Sequence, residues 1–234
     1  LWYDGYANTG TARANPNYTW KDLSGSGYDG TITNYSSKAV WADTNLQTTD
    51  SVVSTISAAT LLPPTSDRTL SITFFLTKYP PYTNTTYGNT GVLIGAARYS
   101  GMAIYWRSTS AKSYYIVGGT RTASEFIEDD NKFDTYNSIA KRINLTYVND
   151  STNGKVINYI DGVKVNETKS VTGSYQYTSE MGNFGLNKAQ IYSSSSPASS
   201  LNIGIYNAKV YTKALTPEEV KHNYLYDAQQ YGIK

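Results

Sequence analysis

The chain has 234 residues, a formal net charge of +2 and only 16% charged side chains, so it lacks the basic face that nucleic-acid binding requires. It contains no cysteine, which excludes a disulfide framework and a thiolate metal site. No apolar run approaches the ~18 residues of a membrane helix, and 23 tyrosines among many Ser, Thr, Asn and Gly mark a sheet-rich protein with hydrogen-bonding loops.

In chain order, "LWYDGY" opens as a strand; with no signal-peptide pattern before it, the sequence is expected to be an excised domain or a processed product. "YTWKDLSGSGYDGTIT" carries two Gly-rich turns about Asp22 and Asp29. In "RTLSITFFLTKY", Leu70, Ile72, Phe74 and Leu76 face one way; Thr69, Ser71, Thr73, Phe75 and Thr77 face the other, with the period of a strand. "GVLIGAARYSGMAIYWRS" reads as a hairpin about Ser100-Gly101, with "SYYIVGG" as its neighbour. Asn153-Gly154 joins "RINLTYVND" to "KVINYIDGVKVNET", and Asp161-Gly162 predicts a two-residue hairpin turn within the latter. "MGNFGLN" is expected to pair with the last strand, "NIGIYNAKVY", across a low-complexity loop, "YSSSSPASS".

In that last strand Ile203, Ile205 and Tyr211 share one parity with Asn207 and Lys209, while Tyr206, Ala208 and Val210 share the other. Both faces are therefore partly covered, as inside a sandwich. A helix follows: Thr216 is the N-cap, Pro217 the first helical residue, and Glu219 completes a capping box. Val220, Tyr224 and Ala228, flanked by Leu225, form its apolar stripe, and Gly232 ends it. No linker or composition shift divides the chain, so residues 1–234 are read as one domain.

The segment "IYNAKVYTKALTPEEVKHNY" resembles the closing signature of the laminin G-like, concanavalin A-like lectin/glucanase superfamily. In that signature a strand ending in Tyr (Tyr211) leads through a polar pair (Thr212-Lys213) and Ala-Leu (Ala214-Leu215) to a Thr cap (Thr216) and a helix ending near Asn223-Tyr224. "YDG" at Tyr3 to Gly5, "WKDLSGSGYDG" from Trp20 to Gly30 and "INYIDGVKV" extend the resemblance over both ends and the middle. It departs from many relatives in having Asn207 at a position that is acidic in them, so no carboxylate role carries over there. The resemblance implies an all-β, two-sheet antiparallel jelly-roll sandwich with one short C-terminal helix. It also implies one of three functions, sugar binding, protein binding or glycoside cleavage, because the fold alone does not separate them.

The residues themselves argue against cleavage. A retaining glycosidase needs two carboxylates about 5–5.5 Å apart, hence two or four apart on one strand face. The acidic cluster "EFIEDDN" (Glu125, Glu128, Asp129, Asp130) does not match the laminarinase-type Glu-x-Asp-x-x-Glu run and is read as leading into a loop, "NKFDTYN". The one histidine, His222, falls on the closing helix as a surface residue, which removes a Ser-His-Asp triad and a His-based lyase site. For glycan recognition by ring stacking, the candidates are Tyr79, Tyr82 and Tyr87 in the proline-braced segment "KYPPYTNTTYGN". Tyr105 and Arg107 on the following strand and Tyr115 beside them complete the set.

No cofactor is required on this reading. Calcium is possible, with Asp129, Asp130 and Asp134 in "EDDNKFD" as ligands, or "DLSGSGYD" as a second oxygen-rich loop. The N-x-S/T pattern at Asn17, Asn34, Asn84, Asn144, Asn149 and Asn166 is what chance gives in a chain so rich in these residues. The sequence thus reads as a non-catalytic carbohydrate-binding or adhesion module, extracellular, on a bacterial surface protein or phage virion and part of a multivalent assembly. Its partner would be a glycan or cell-surface polysaccharide. The alternatives are a structural or protein-docking domain without a glycan site and, more weakly, a divergent glycan-cleaving enzyme.

Overall fold

The computed structural model describes residues 1–7, 19–32, 36–49, 53–57, 66–78, 90–95, 100–107, 113–121, 126–133, 140–169, 183–190 and 201–233. For 53–57, 113–121, 126–133, 168–169 and most of 90–107 and 183–190 it describes the backbone. Among the described residues the strands form two eight-stranded antiparallel sheets. The first holds β1 (Trp2–Asp4), β4 (Ala39–Trp41), β5 (Leu46–Thr48), β7 (Arg68–Lys78), β12 (Ile143–Asp150), β13 (Lys155–Ile160), β14 (Val163–Lys169) and β16 (Asn202–Tyr211). The second holds β2 (Thr19–Trp20), β3 (Gly30–Ile32), β6 (Val53–Ser57), β8 (Thr90–Gly95), β9 (Ser100–Arg107), β10 (Ser113–Arg121), β11 (Phe126–Phe133) and β15 (Asn183–Gln190). One helix, α1 (Pro217–Tyr231), follows the last strand.

The sheets share one core. Leu70, Ile72, Phe74 and Leu76 of β7 are essentially inaccessible, as their alternation predicts, and pack with Leu93, Ile94, Met102, Phe184 and Leu186 from the opposite sheet. Each such side chain contributes about 1.5–3 kcal/mol by leaving water. Aromatic contacts also join the sheets: Trp20 of β2 stacks on Tyr3 of β1 at 5.5 Å and meets Trp41 of β4 edge-on at 5.0 Å. The Asp161-Gly162 turn has φ of 51° and 72°, the paired positive values of a type I′ hairpin.

Three sequence expectations are corrected. Ser100 and Gly101 lie inside β9, with Gly101 opposite Gly95, so they are paired strand residues and not the turn. β15 does not pair with β16 but sits between β8 and β6 in the other sheet. The reason is that β7 occupies one edge of β16 while β1 and β5 share the other, leaving β16 no free ladder for a third neighbour. Finally, β16 does not keep a single parity. Ile205 stands opposite Phe74 and Asn207 opposite Thr73, so Tyr206 is an inserted residue and the pleat is re-phased there. Ile203 and Ile205 before the bulge and Ala208 and Val210 after it all reach the core.

The other face of this sheet carries α1. Thr216 accepts from the Glu219 backbone N–H and Glu219 from that of Thr216, the predicted capping box; Gly232 ends the helix at φ 64°. Leu215 and Val220 pack on Val148 and Tyr159, while Tyr231 and Ile233 close on Tyr206. Leu225, expected beside the apolar stripe, is instead 54% exposed, and Asp227 takes the inward position, fully buried. Its carboxylate accepts from Lys209 Nζ at 2.6 Å, Thr73 Oγ1 at 3.2 Å and Asn144 Nδ2 at 3.3 Å. Asn144 also reaches Ser71, which Thr146 holds at 3.0 Å. The outer face of β7 and β12 is thus a polar layer sealed by the helix. Asn144 is buried in it, and Asn149 is buried at the end of β12, donating to the Ser66 carbonyl at 3.2 Å, so two of the N-x-S/T matches are not surface sites.

Two predictions follow from this interface. Removing one member of a buried ion pair strands the other, so Asp227→Ala and Lys209→Ala should each cost about 3–5 kcal/mol. The double variant should cost clearly less than their sum, which a double-mutant cycle on urea unfolding would measure. Burial, followed by the charges of Asp227 and Glu219, pushes the Tyr211 phenol up to about 12, and burial first, then Asp4, also raises Tyr231. Both favour the neutral phenol in the fold. Their contribution is therefore whole below about pH 10, the unfolded value, and is lost as pH rises through about 12 for Tyr211. The melting temperature should fall over that window, and less steeply in Tyr211→Phe.

Candidate functional site

The topology joins the separately predicted aromatic segments at one place on the second sheet. Tyr79, Tyr82 and Tyr87 lie outside the described residues, but the ends of their segment are fixed: β7 ends at Lys78 in the first sheet and β8 begins at Thr90 in the second. Thr90 stands opposite Tyr105 of β9, Tyr105 opposite Tyr115 of β10, and Tyr115 opposite Lys132 of β11. Residues directly opposite in antiparallel strands share a sheet face, so these four positions form one row across four strands. Arg107 ends β9 opposite Ser113, two positions from that row. A tyrosine pair with cationic positions near it in the register, next in the chain to the segment that holds Tyr79, Tyr82 and Tyr87, has the chemistry for stacking on a sugar ring while binding its hydroxyl or carboxylate groups.

The acidic cluster is not the turn that was expected. Glu128, Asp129, Asp130, Asn131, Lys132 and Phe133 belong to β11, paired to β10 from Phe126 to Phe133. The regular ladder with β10 outweighs the low strand propensity of Asp and Asn. Asp134 and Glu125 lie outside the described residues. Asp129 and Asp130 are consecutive on a strand, where successive positions alternate between faces, so they do not form the converging loop proposed for calcium. The same strand gives Glu128 and Asp130 the spacing of two that shares a face, which a loop would not.

The second oxygen-rich loop, residues 21–29, is organised from within. Asp22 accepts from the backbone N–H groups of Trp2 at 2.9 Å, Ser24 at 3.0 Å and Tyr28 at 3.1 Å, and from Ser24 Oγ at 2.9 Å. Burial pushes its carboxyl upward, but those hydrogen bonds outweigh it and hold the group below the usual carboxylate range. Asp29 accepts from the Asp22 N–H at 3.0 Å and from Lys21 Nζ. The carboxylates therefore brace the loop against β1. Among the described residues no cluster of three or more His, Cys, Asp or Glu is arranged to hold a metal ion.

A cavity of about 390 Å³ between α1, β1 and the end of β16 is a feature that sequence reading missed. Trp2, Lys209, Tyr211, His222, Asn223 and Tyr226 line it. Trp2 stands opposite Lys209 in the β1–β16 ladder, and Asn223 Nδ2 donates to the Tyr211 hydroxyl at 3.2 Å. His222 is exposed on the helix, as expected. The one usable signal was the His222, Asn223 and Tyr226 spacing, which puts a polar pair and a ring on one helix side. Their partners come from both ends of the chain, Trp2 from the first strand and Lys209 and Tyr211 from the last.

No protein-family model and no curated protein matches the chain. Solved structures do. The binding domain of botulinum neurotoxin serotype G aligns with a TM-score of 0.64 at 13% identity, over 97% of this chain and 51% of that one. Botulinum neurotoxin type C, whose cell entry depends on interaction with two ganglioside molecules, aligns at TM-score 0.63 and 13% identity over 97% and 50%. A Trypanosoma rangeli sialidase in complex with a difluoro-KDN aligns at TM-score 0.60 and 15% identity over 98% and 32%. The chain spans about half the length of the toxin domains and about a third of the sialidase. At these identities the likeness is one of fold: a β-rich architecture shared with toxin binding domains.

Proposed function

We propose that the chain is a non-catalytic carbohydrate-binding module, one jelly-roll domain of the laminin G-like, concanavalin A-like type over residues 1–234. In this reading it belongs to an extracellular bacterial-surface or phage virion protein and acts in several copies. The observation that carries it is the row Thr90, Tyr105, Tyr115 and Lys132, with Arg107 near its end, at the point where the Tyr79–Tyr87 segment enters the sheet. The fold shared with a toxin whose entry depends on gangliosides supports the same reading. A shallow sheet site of this kind binds weakly, roughly micromolar to millimolar, so avidity from many copies supplies useful attachment.

A glycan array of the multimerised domain, run with and without chelator, tests this directly. Binding to at least one glycan is expected, and Tyr105→Ala or Arg107→Ala should weaken it about tenfold or more with the melting temperature kept. Loss of binding in chelator would restore calcium to the site. An array blank in multivalent form would favour the structural or protein-docking alternative.

One observation favours a second reading, glycan cleavage: Glu128 and Asp130 are two apart on β11. β11 is the outermost strand of its sheet, so the pair has a neighbouring strand on one side alone from which to build a cleft, and the non-catalytic reading is preferred. The expected result is no release of reducing ends from a polysaccharide panel. Release by the wild type that Glu128→Gln and Asp130→Asn each abolish would overturn it.

A further inference from the structure

We infer that the cavity between α1, β1 and the end of β16 is a second glycan site, one that takes a single uncharged pyranose ring. The inference rests on the reading of the chain as a carbohydrate-binding module and adds a contact point formed by other residues. Its volume of about 390 Å³ falls at the small end of ligand pockets, which run roughly 300–1,000 Å³. A monosaccharide unit is the ligand of that scale.

The lining chemistry selects the class. Trp2, Tyr211 and Tyr226 bring three aromatic rings from β1, β16 and α1 to one hollow. Tyr226 is half exposed, and Lys209 Nζ lies 5.8 Å from its ring centre. Among the described lining residues both cations already have partners: Lys209 is matched by Asp227 at 2.6 Å, and the Leu1 α-amino group donates to the Val210 carbonyl at 3.1 Å and feels the charge of Asp22. Cations that are already paired give an acidic sugar no advantage over a neutral one that offsets the cost of desolvating its carboxylate.

Around the rings stand Asn223, Ser24 and the exposed imidazole of His222, and the Trp2 indole N–H is buried in the wall without an acceptor in the protein. A wholly apolar ligand would strip water from Asn223, Ser24 and His222 without replacing its hydrogen bonds, at a cost. A pyranose matches both halves: its C–H face packs on a ring and its hydroxyls meet the polar rim.

The cavity is also rigid. Asp22 ties the 21–29 loop to the Trp2 N–H, β1 is held in the β16 ladder, and Asp227 fixes α1 against Lys209. A site built on strands and a docked helix loses little entropy when it binds.

The test uses the whole 234-residue chain, 15N-labelled, with the methyl glycosides of glucose, galactose, mannose and N-acetylglucosamine as probes. The Trp2 indole resonance is assigned with Trp2→Phe. At least one glycoside is expected to shift the Trp2 indole and Asn223 side-chain signals, saturating at millimolar concentration. Tyr226→Ala should weaken that titration about tenfold with the melting temperature kept. If Tyr226→Ala is unstable, His222→Ala, at an exposed helix position, must weaken it instead. Shifts confined to Tyr105 and Tyr115 would overturn the second site and leave the module reading standing. No shift by any glycoside, together with a blank multivalent array, would remove both. Shifts of the Trp2 indole by N-acetyltyrosinamide but by no glycoside would assign the cavity to an aromatic side chain of a partner protein and overturn the sugar.

Discussion

A carboxylate with no contact with water has to be given a cation and hydrogen-bond donors, and that requirement governs how this chain closes. Asp227 meets it by sitting where Lys209 of β16, Thr73 of β7 and Asn144 of β12 converge. Three strands of one sheet thus define a single position for the helix, to within the reach of hydrogen bonds. Apolar packing by Leu215, Val220 and Tyr231 supplies most of the adhesion, but such contacts tolerate sliding. The ion pair supplies the register, a role for which buried polar groups are suited.

The same strand that presents Lys209 organises the rest of its sheet. β16 pairs with β7 along one edge and with β1 and β5 along the other, so the first and last strands of the chain lie side by side. The bulge at Tyr206 lets Ile203, Ile205, Ala208 and Val210 all serve the core while Asn207 and Lys209 turn to the helix. At Gly204 the ring of Phe75 lies over the backbone where a Cβ would stand, so any larger residue there would have to displace that ring. The cavity beside Trp2 follows from this layout, because α1 crosses over β16 at the edge where β1 has been added.

The opposite sheet and this helix edge offer two surfaces that arise from different physics. The row through Tyr105 and Tyr115 exists because β8, β9, β10 and β11 are consecutive neighbours, so side-by-side residues come from four successive chain passes. The cavity exists because residues near 1, 24, 210 and 225 are folded together. The first arrangement offers an open surface with cationic positions at Lys132 and Arg107. The second offers a half-open hollow whose described cations, Lys209 and the Leu1 α-amino group, already have protein partners. An attachment module using both would read a charged and an uncharged part of one glycan.

The sequence by itself determined whatever depends on neighbours along the chain. The Asn153-Gly154 and Asp161-Gly162 turns and the Thr216–Glu219 capping box with Gly232 as terminator proved local, since each is satisfied by backbone and side chains within a few residues, and the β7 alternation was legible because a period of two marks the two faces of a strand whatever covers them. The all-β character with one closing helix followed from them. What tertiary structure decided are the features whose energy lies in distant partners. Sequence parity could not reveal the Tyr206 bulge, because the extra residue is defined only against β7. Nor could it keep β15 from β16, because the edges of β16 are filled by β1 and β5 from the start of the chain. Asp227 reads as one more polar residue on a helix until Lys209, Thr73 and Asn144 bury it. Glu128 to Phe133 read as a loop because their composition disfavours a strand, and only the continuous ladder with β10 supplies the hydrogen bonds that make them one.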